Sequence, residues 1–199
     1  FKRVPAALLF SSGYAANLGM VTTLADRETL IVSDELNHAS LIDACRLSGA
    51  RIGVYPHRDA AGAGSLLAAE AKRKFILTDS VFSMDGDLAP IEELGRLGAD
   101  LVVDDVHGLG VFGPEGRGIQ GVPVQSGNLS KAAGSVGGFV AGSKDLVELL
   151  RSRARSFLFT TALPPAVCAA GVEALRILRE AGDRRAKLRL RYGGPGHLG

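Results

Sequence analysis

The sequence predicts an α/β fold, a mainly parallel central sheet with helices on both faces. Short apolar, strand-like runs alternate with helix-like stretches along the 199 residues, the pattern of strand–helix–strand units. Two of the runs, Phe75-Ile76-Leu77 and Leu101-Val102-Val103, are continuously apolar. Central parallel strands covered on both faces read this way, whereas half-exposed strands alternate. Glycine is abundant, with 26 residues, so sharp turns and close backbone approaches are expected.

Candidate strands run 29–33, 51–55, 74–78, 100–104 and 138–141, and candidate helices 14–25, 39–48, 64–73, 91–97, 144–156 and 165–180. Right-handed crossovers place those helices on both faces of the sheet. Pro90 ahead of Ile91-Glu92-Glu93-Leu94 suits a first helical turn. Ser143 is positioned to cap the helix that opens at Lys144. Pro164-Pro165 precedes a periodic run to Leu178, and Gly182 is its expected stop.

Composition excludes several classes. Hydrophobic residues are 46% and charged residues 22% of the chain, as in ordinary globular proteins and unlike disordered or fibrous ones. A net charge of +2 gives no general case for a nucleic-acid partner. Two cysteines, Cys45 and Cys168, cannot build a disulfide framework, and both read as buried small hydrophobes. No run approaches the ~18 apolar residues of a membrane span, and no signal peptide is recognised. The expectation is a soluble chain of a reducing compartment, most simply the cytoplasm, with neither nucleic acid nor membrane as partner. The basic stretch from Arg184 to Arg191 reads as a solvated helix face.

Ligands of open α/β sheets sit beyond the carboxyl ends of the strands. Asp34, Asn37, His38 and Ser40 follow one candidate strand. Asp79, Ser83, Asp85 and Asp87 follow another, and Asp104, Asp105 and His107 a third. Asn128-Leu129-Ser130-Lys131 precedes the last. Each group has a plain structural explanation: His38 as a helix cap, the Ser83–Asp87 run as a polar turn, Lys131 as an exposed loop residue. Asp104-Asp105-Val106-His107 differs, because it ends a buried strand, where unpaired charge is costly. The P-loop order of glycines before a lysine is absent around Lys131.

Together these residues form a coherent set. It comprises an amine (Lys131), a carboxylate ending a buried strand (Asp104), two imidazoles (His38, His107) and a glycine-started helix at Gly13-Tyr14-Ala15-Ala16-Asn17. Such parts suit a pyridine aldehyde with a phosphate arm. Lysine forms a Schiff base with the aldehyde, and carboxylate holds the pyridinium nitrogen. Imidazole stacks on the ring, and a helix N-terminus receives phosphate.

Several runs resemble the α-oxoamine synthase family: Phe10-Ser11-Ser12-Gly13-Tyr14-Ala15-Ala16-Asn17, Ser33 to Asp43, Val81-Phe82-Ser83-Met84-Asp85-Gly86-Asp87, Val103-Asp104-Asp105-Val106-His107-Gly108, Leu129-Ser130-Lys131 and Phe159 to Pro165. They occur in the family's order from residue 8 to about 180. The resemblance implies the large domain of the aspartate-aminotransferase fold, type I, with pyridoxal 5'-phosphate as cofactor. It implies a decarboxylative condensation of an amino acid with an acyl thioester. The branch it resembles most joins L-alanine to a pimeloyl thioester, on coenzyme A or a carrier protein, in biotin synthesis. Branches that use glycine or serine are the alternative.

Carried over by motif, Lys131 holds the cofactor and later moves a proton, Asp104 pairs with the ring nitrogen, and His107 bonds the phenolic oxygen. His38 stacks on the ring, and Ser83 lies in the matching cofactor motif. Backbone at Gly13 and Tyr14 approaches the phosphate. Asn128 stands where the family usually has a phosphate-binding Thr. Thr160 and Thr161 are expected to reach the phosphate in a neighbouring subunit, which implies a homodimer with shared sites.

The resemblance also implies residues 1–180 as the cofactor-binding domain, incomplete at its N-terminus and shortened near 121–128. Residues 181–199 would be a basic tail or the start of a further domain. That domain would carry the arginine for the amino-acid carboxylate. Two readings from other classes stand beside this one. One is a non-catalytic truncated partner subunit. The other is a metal hydrolase built on His38, Asp104 and His107, for which no compact ligand motif is present.

Overall fold

The computed structural model describes residues 1–192. One seven-stranded sheet organises them, built from β1 (Ala6–Phe10), β2 (Thr29–Asp34), β3 (Arg51–Tyr55), β4 (Arg73–Asp79), β5 (Asp100–Asp104), β6 (Val124–Asn128) and β7 (Gly138–Gly142). Their spatial order is β1-β7-β6-β5-β4-β2-β3. The five strands from β3 to β6 in that order are parallel, while β7 is antiparallel to both β6 and β1. The expectation of a mainly parallel sheet holds, with β7 reversed. Only residues 129–137 join β6 to β7, with no crossover helix, and a direct return of that kind reverses the strand.

Among the described residues the helices are α1 (Gly13–Leu24), α2 (Ala39–Ser48), α3 (Ala60–Leu67), α4 (Ile91–Gly95), α5 (Lys144–Arg153), α6 (Arg155–Leu158), α7 (Pro165–Glu180) and α8 (Gly182–Tyr192). They cover both faces. Ile31, Phe75, Leu77, Val102 and Val140 pack with α1, α2 and α5 in one core. The alternating residues Leu30, Val32, Ile76, Leu101 and Val103 pack with α3 and α4 in a second. A continuous apolar run in β4 and β5 is what two cores on opposite faces of one sheet require.

Four expectations need correction. The helix expected at 64–73 is α3, which starts at Ala60 because Asp59 caps it, accepting from Gly62 N at 2.9 Å. Residue 73 already belongs to β4. The helix expected at 144–156 breaks at Ala154, whose extended backbone (φ −67°, ψ 107°) separates α5 from α6. Gly182 does not stop α7; the helix ends at Glu180, and Gly182 opens α8. Cys45 is buried as expected, but Cys168 is only half-buried.

The register levels the strand ends that matter. Phe10 pairs with Gly138, and Gly138 pairs with Asn128. The carboxyl ends of β1 and β6 are therefore level, on either side of the start of β7. Asp79 pairs with Asp104, which pairs with Ser126. No helix of the described residues is long and apolar enough to cross a membrane.

Candidate cofactor cleft

A cleft of about 160 Å³ opens at these strand ends. It is lined by Gly13, Tyr14, His38, Ser83, Asp104, His107, Asn128 and Lys131, all singled out in the sequence, together with Asn17, Ser40 and Asp79. Thr160 and Thr161 are elsewhere. They line a separate depression with Phe10, Ser11, Phe157 and Leu163.

Asp104 ends β5 in the floor of the cleft, only 3% exposed. Its Oδ1 accepts from Val106 N at 3.0 Å and its Oδ2 from Asn17 Nδ2 at 2.6 Å. Among the described residues no cationic side chain hydrogen-bonds it. Burial pushes its pKa up, against the hydrogen bonds from Asn17 and Val106. Asp79, its register partner, is raised to about 8 by burial first and by the charge of Asp104 second. Two neighbouring buried carboxyls without a cation form a site that favours a bound positive charge.

Asn17 organises the floor. Besides Asp104 its Nδ2 donates to Ser40 Oγ at 2.8 Å, and its Oδ1 accepts from Ser126 Oγ at 2.6 Å. Ser40 in turn lies 2.7 Å from His38 Nδ1, and Ser40 N donates to that nitrogen at 3.2 Å. With Nδ1 accepting, the neutral imidazole carries its hydrogen on Nε2. His38 is thus the N-cap of α2 and a wall of the cleft at once. Its backbone N–H donates to Asp79 Oδ2 at 3.0 Å, which joins the ends of β2 and β4.

His107 follows β5 on the turn stabilised by Asp104. Burial lowers its pKa, and the positive charge of Lys131 adds to this. It is therefore neutral near pH 7 and has one N–H to donate. Lys131 lies on the short return between β6 and β7, exposed at the mouth.

The first turn of α1 completes the site. Ser12 caps it by accepting from Ala15 N at 3.0 Å. The amides of Gly13 and Tyr14 precede the first intrahelical donor, Ala16 N, which bonds Ser12 O at 3.0 Å, the usual position for anion binding. Gly13 fits closely against the end of β6, where a Cβ would lie 3.0 Å from Asn128 Nδ2. The Tyr14 hydroxyl is held to one side by Asp43 Oδ2 at 2.5 Å.

The sequence did not single out Asn17 or assign roles to Ser40 and Asp79, although the last two stood among the residues following strands. Asn17 had one sequence cue, its place inside the glycine-started helix. His107 and His38 do not join Asp104 as metal ligands: the described residues contain no group of three or more His, Cys, Asp or Glu side chains able to hold an ion.

Comparison with known proteins agrees with this architecture. The model of the family described as aminotransferase class I and II matches residues 1–192. The 8-amino-7-oxononanoate synthase of Methylococcus capsulatus is 52% identical over 198 residues, covering 93% of this chain and 51% of that protein. The enzyme of the same name from Marinobacter nauticus is 47% identical, covering 94% and 51%. The chain spans about half the length of these curated relatives. Among solved structures, serine palmitoyltransferase of Sphingomonas wittichii superposes with a TM-score of 0.89 at 37% identity, covering 94% of this chain and 50% of that one. The 8-amino-7-oxononanoate synthase of Francisella tularensis gives 0.87 at 33%, covering 95% and 58%. A further neighbour is a serine palmitoyltransferase solved with PLP, with a TM-score of 0.87 at 35% identity. The fold is the type I fold of pyridoxal-phosphate-dependent transferases, and the chain belongs to the aminotransferase class I and II family.

Proposed function

We propose that this chain forms the cofactor-binding part of a pyridoxal-phosphate-dependent 8-amino-7-oxononanoate synthase. Such an enzyme condenses L-alanine with a pimeloyl thioester, on coenzyme A or a carrier protein, releasing carbon dioxide in biotin synthesis. The observation that carries the cofactor assignment is one cleft lined by both Lys131 and the cation-free buried pair Asp104 and Asp79. The identity of 52% and 47% to curated synthases supports the choice of reaction.

The donor set fits the cofactor. Asp104 would hold the proton on the ring nitrogen, a cation in the place where the floor lacks one. The amides of Gly13 and Tyr14, with Asn128 beside them, would receive the phosphate. Neutral His107 would donate to the phenolic oxygen, and His38 would lie against the ring. Pyridoxal phosphate supplies an aldehyde that captures amines and a ring that accepts the electron pair freed at an amino-acid α-carbon. Lys131 would anchor the cofactor through Nζ, then take a proton from the substrate α-carbon and return it to the product. Ser83 would stand beside the cofactor at the mouth.

Thr160 and Thr161 lie outside this cleft, and we assign them to the phosphate of a second copy in a homodimer with shared sites. Residues 1–180 would be the cofactor domain, with 181–199 leading into the remainder of the enzyme, and the location would be the cytoplasm. A serine palmitoyltransferase-like reaction is the second reading, favoured by the TM-score of 0.89 to that enzyme. Competition between alanine and serine, and between pimeloyl and long-chain thioesters, separates the two.

The test is the absorbance spectrum with added pyridoxal phosphate, before and after borohydride. A visible band that borohydride fixes onto Lys131, and that Lys131→Ala abolishes, is expected. A folded protein with no such band would overturn the assignment.

A further inference from the structure

We infer that His57 is a positioning residue: its imidazole, bridging Asp34 and Asp87, pins the segment that carries Ser83 to the strand end that leads into His38. His57 follows β3 and lies outside the cleft. Its Nδ1 is 3.0 Å from Asp34 Oδ1 and its Nε2 is 2.8 Å from Asp87 Oδ2. Both partners are carboxylates, which only accept. The two bonds coexist only when both ring nitrogens carry hydrogen, so the bridge requires the imidazolium. Phe82 stacks edge-on against the ring, with centroids 4.4 Å apart.

The two anchors are unequal. Asp34 is 2% exposed and also accepts from Leu36 N and Arg58 N, both at 2.9 Å. It is fixed whatever the ring does. Asp87 is the side-chain anchor of residues 81–88. Otherwise that segment is closed by Phe82 N to Asp87 O at 3.0 Å, Gly86 N to Phe82 O at 2.8 Å and a single bridge between Val81 and Leu88. Ser83, Met84 and Asp85 are exposed. Without the His57 bond Asp87 keeps only the longer contact from the exposed Arg58 Nη1 at 3.2 Å, which loosens the segment that holds Ser83 at the cleft while β2 keeps its place.

The charged groups facing His57 are Asp34 from β2, Glu35 just beyond it, Asp87 from the segment and the adjacent Arg58. Glu35 Oε1 accepts the His57 backbone N–H at 2.8 Å, and Arg58 Nη1 reaches Asp87 Oδ2 at 3.2 Å. Burial lowers the ring's pKa, but the hydrogen bonds and charges of Asp34 and Asp87 outweigh it, and the net shift is upward. The bridge is thus complete below the ordinary histidine range and lost as pH rises through the raised value. Neutral His57 has one N–H for two acceptors.

The consequence for the cofactor rests on the function proposed above; the bridge itself does not. The test uses the chain without cofactor. NMR follows the His57 ring across pH, and hydrogen exchange gives protection factors at Phe82 and Gly86. Protection should fall about ten-fold or more as His57 loses its proton, the scale of one charged hydrogen bond, while amides of β4 and β5 hold theirs. Asp87→Asn should remove this pH dependence, because an amide can donate to neutral Nε2. His57→Gln should show low protection at every pH. Protection that ignores the His57 titration, or a pH dependence that survives in Asp87→Asn, would overturn the inference. Pyridoxal-phosphate affinity is then measured across the same range. It should weaken on the alkaline side in the parent and not in Asp87→Asn. If no cofactor band forms at any pH, the proposed function fails while the exchange data still decide the bridge.

Discussion

Asn17 donates from Nδ2 to Asp104 Oδ2 at 2.6 Å, tying α1 to the carboxyl end of β5 across 87 residues of sequence. The same amide group serves Ser40 and Ser126. One side chain therefore sets the carboxylate and, through Ser40, the tautomer of His38. Asn17→Ala would leave buried acceptors and a hydroxyl unpaired, at a cost of about 1–3 kcal/mol. Urea unfolding of the parent and variant measures this, and cofactor affinity should drop with it.

Lys131 behaves in the opposite way. It is exposed on a loop, and its side chain makes no hydrogen bond among the described residues; only its carbonyl accepts, from Gly134 N at 3.0 Å. Lys131→Ala should change stability by no more than about 0.5 kcal/mol while abolishing the borohydride-fixed adduct. Thermal unfolding and intact-protein mass after reduction report the two effects separately.

Asp79 contributes a pH dependence to the fold. Its pKa is raised to about 8 in the native state, against roughly 3.9 in an unfolded chain. Between these values the native state binds the extra proton, so stability falls as pH rises from about 4 to about 8. Asp79→Asn keeps an oxygen for the His38 N–H and should flatten part of that slope. Denaturation at a series of pH values checks it; an unchanged slope would contradict the assignment.

Asp105, beside Asp104 in sequence, has a different task. It accepts from Lys2 Nζ at 2.6 Å, Ser80 Oγ at 2.7 Å and Ile119 N at 2.9 Å. Lys2 and Asp105 are 7% and 1% exposed. Lys2→Met would strand a buried carboxylate and should cost about 3–5 kcal/mol. The double variant with Asp105→Asn should cost less than the sum of the single changes, as measured by urea unfolding of all four proteins.

Gly118 and Gly121 offer a matched pair. Both have positive φ, +71° and +75°. A Cβ on Gly118 would run into Asp105 Oδ2, whereas one on Gly121 meets nothing within 4 Å. Gly121→Ala should cost about 1–2 kcal/mol from backbone strain alone. Gly118→Ala should cost clearly more, and soluble yield and melting temperature distinguish them.

The strands β2, β4 and β5 were legible because their apolar residues face cores on both sides of the sheet, and β3 from its short apolar run, although it is an edge strand whose Ile52 and Val54 stay exposed. β1 and β6 were not. Val124-Gln125-Ser126-Gly127-Asn128 has no apolar period; it is a strand because β5 and β7 pair with it on both sides. Its buried Gln125 satisfies Nε2 locally, on Val122 O at 3.0 Å. For His38 the sequence offered helix capping and a place at the cofactor as alternatives; that one residue does both became visible only once β2 and β4 were placed side by side.

Sequence alone determined the α/β class, the order of the motifs and the chemical types that meet at the strand ends. Those follow from local apolar patterning and from residues written in the chain. Tertiary structure alone decided that Asn17 serves Asp104, that Asp79 repels it, that Lys2 neutralises Asp105 and that His57 bridges two carboxylates. Each of these joins residues from 23 to 103 positions apart. Their energies depend on burial and on strand register, which exist only after the sheet has formed.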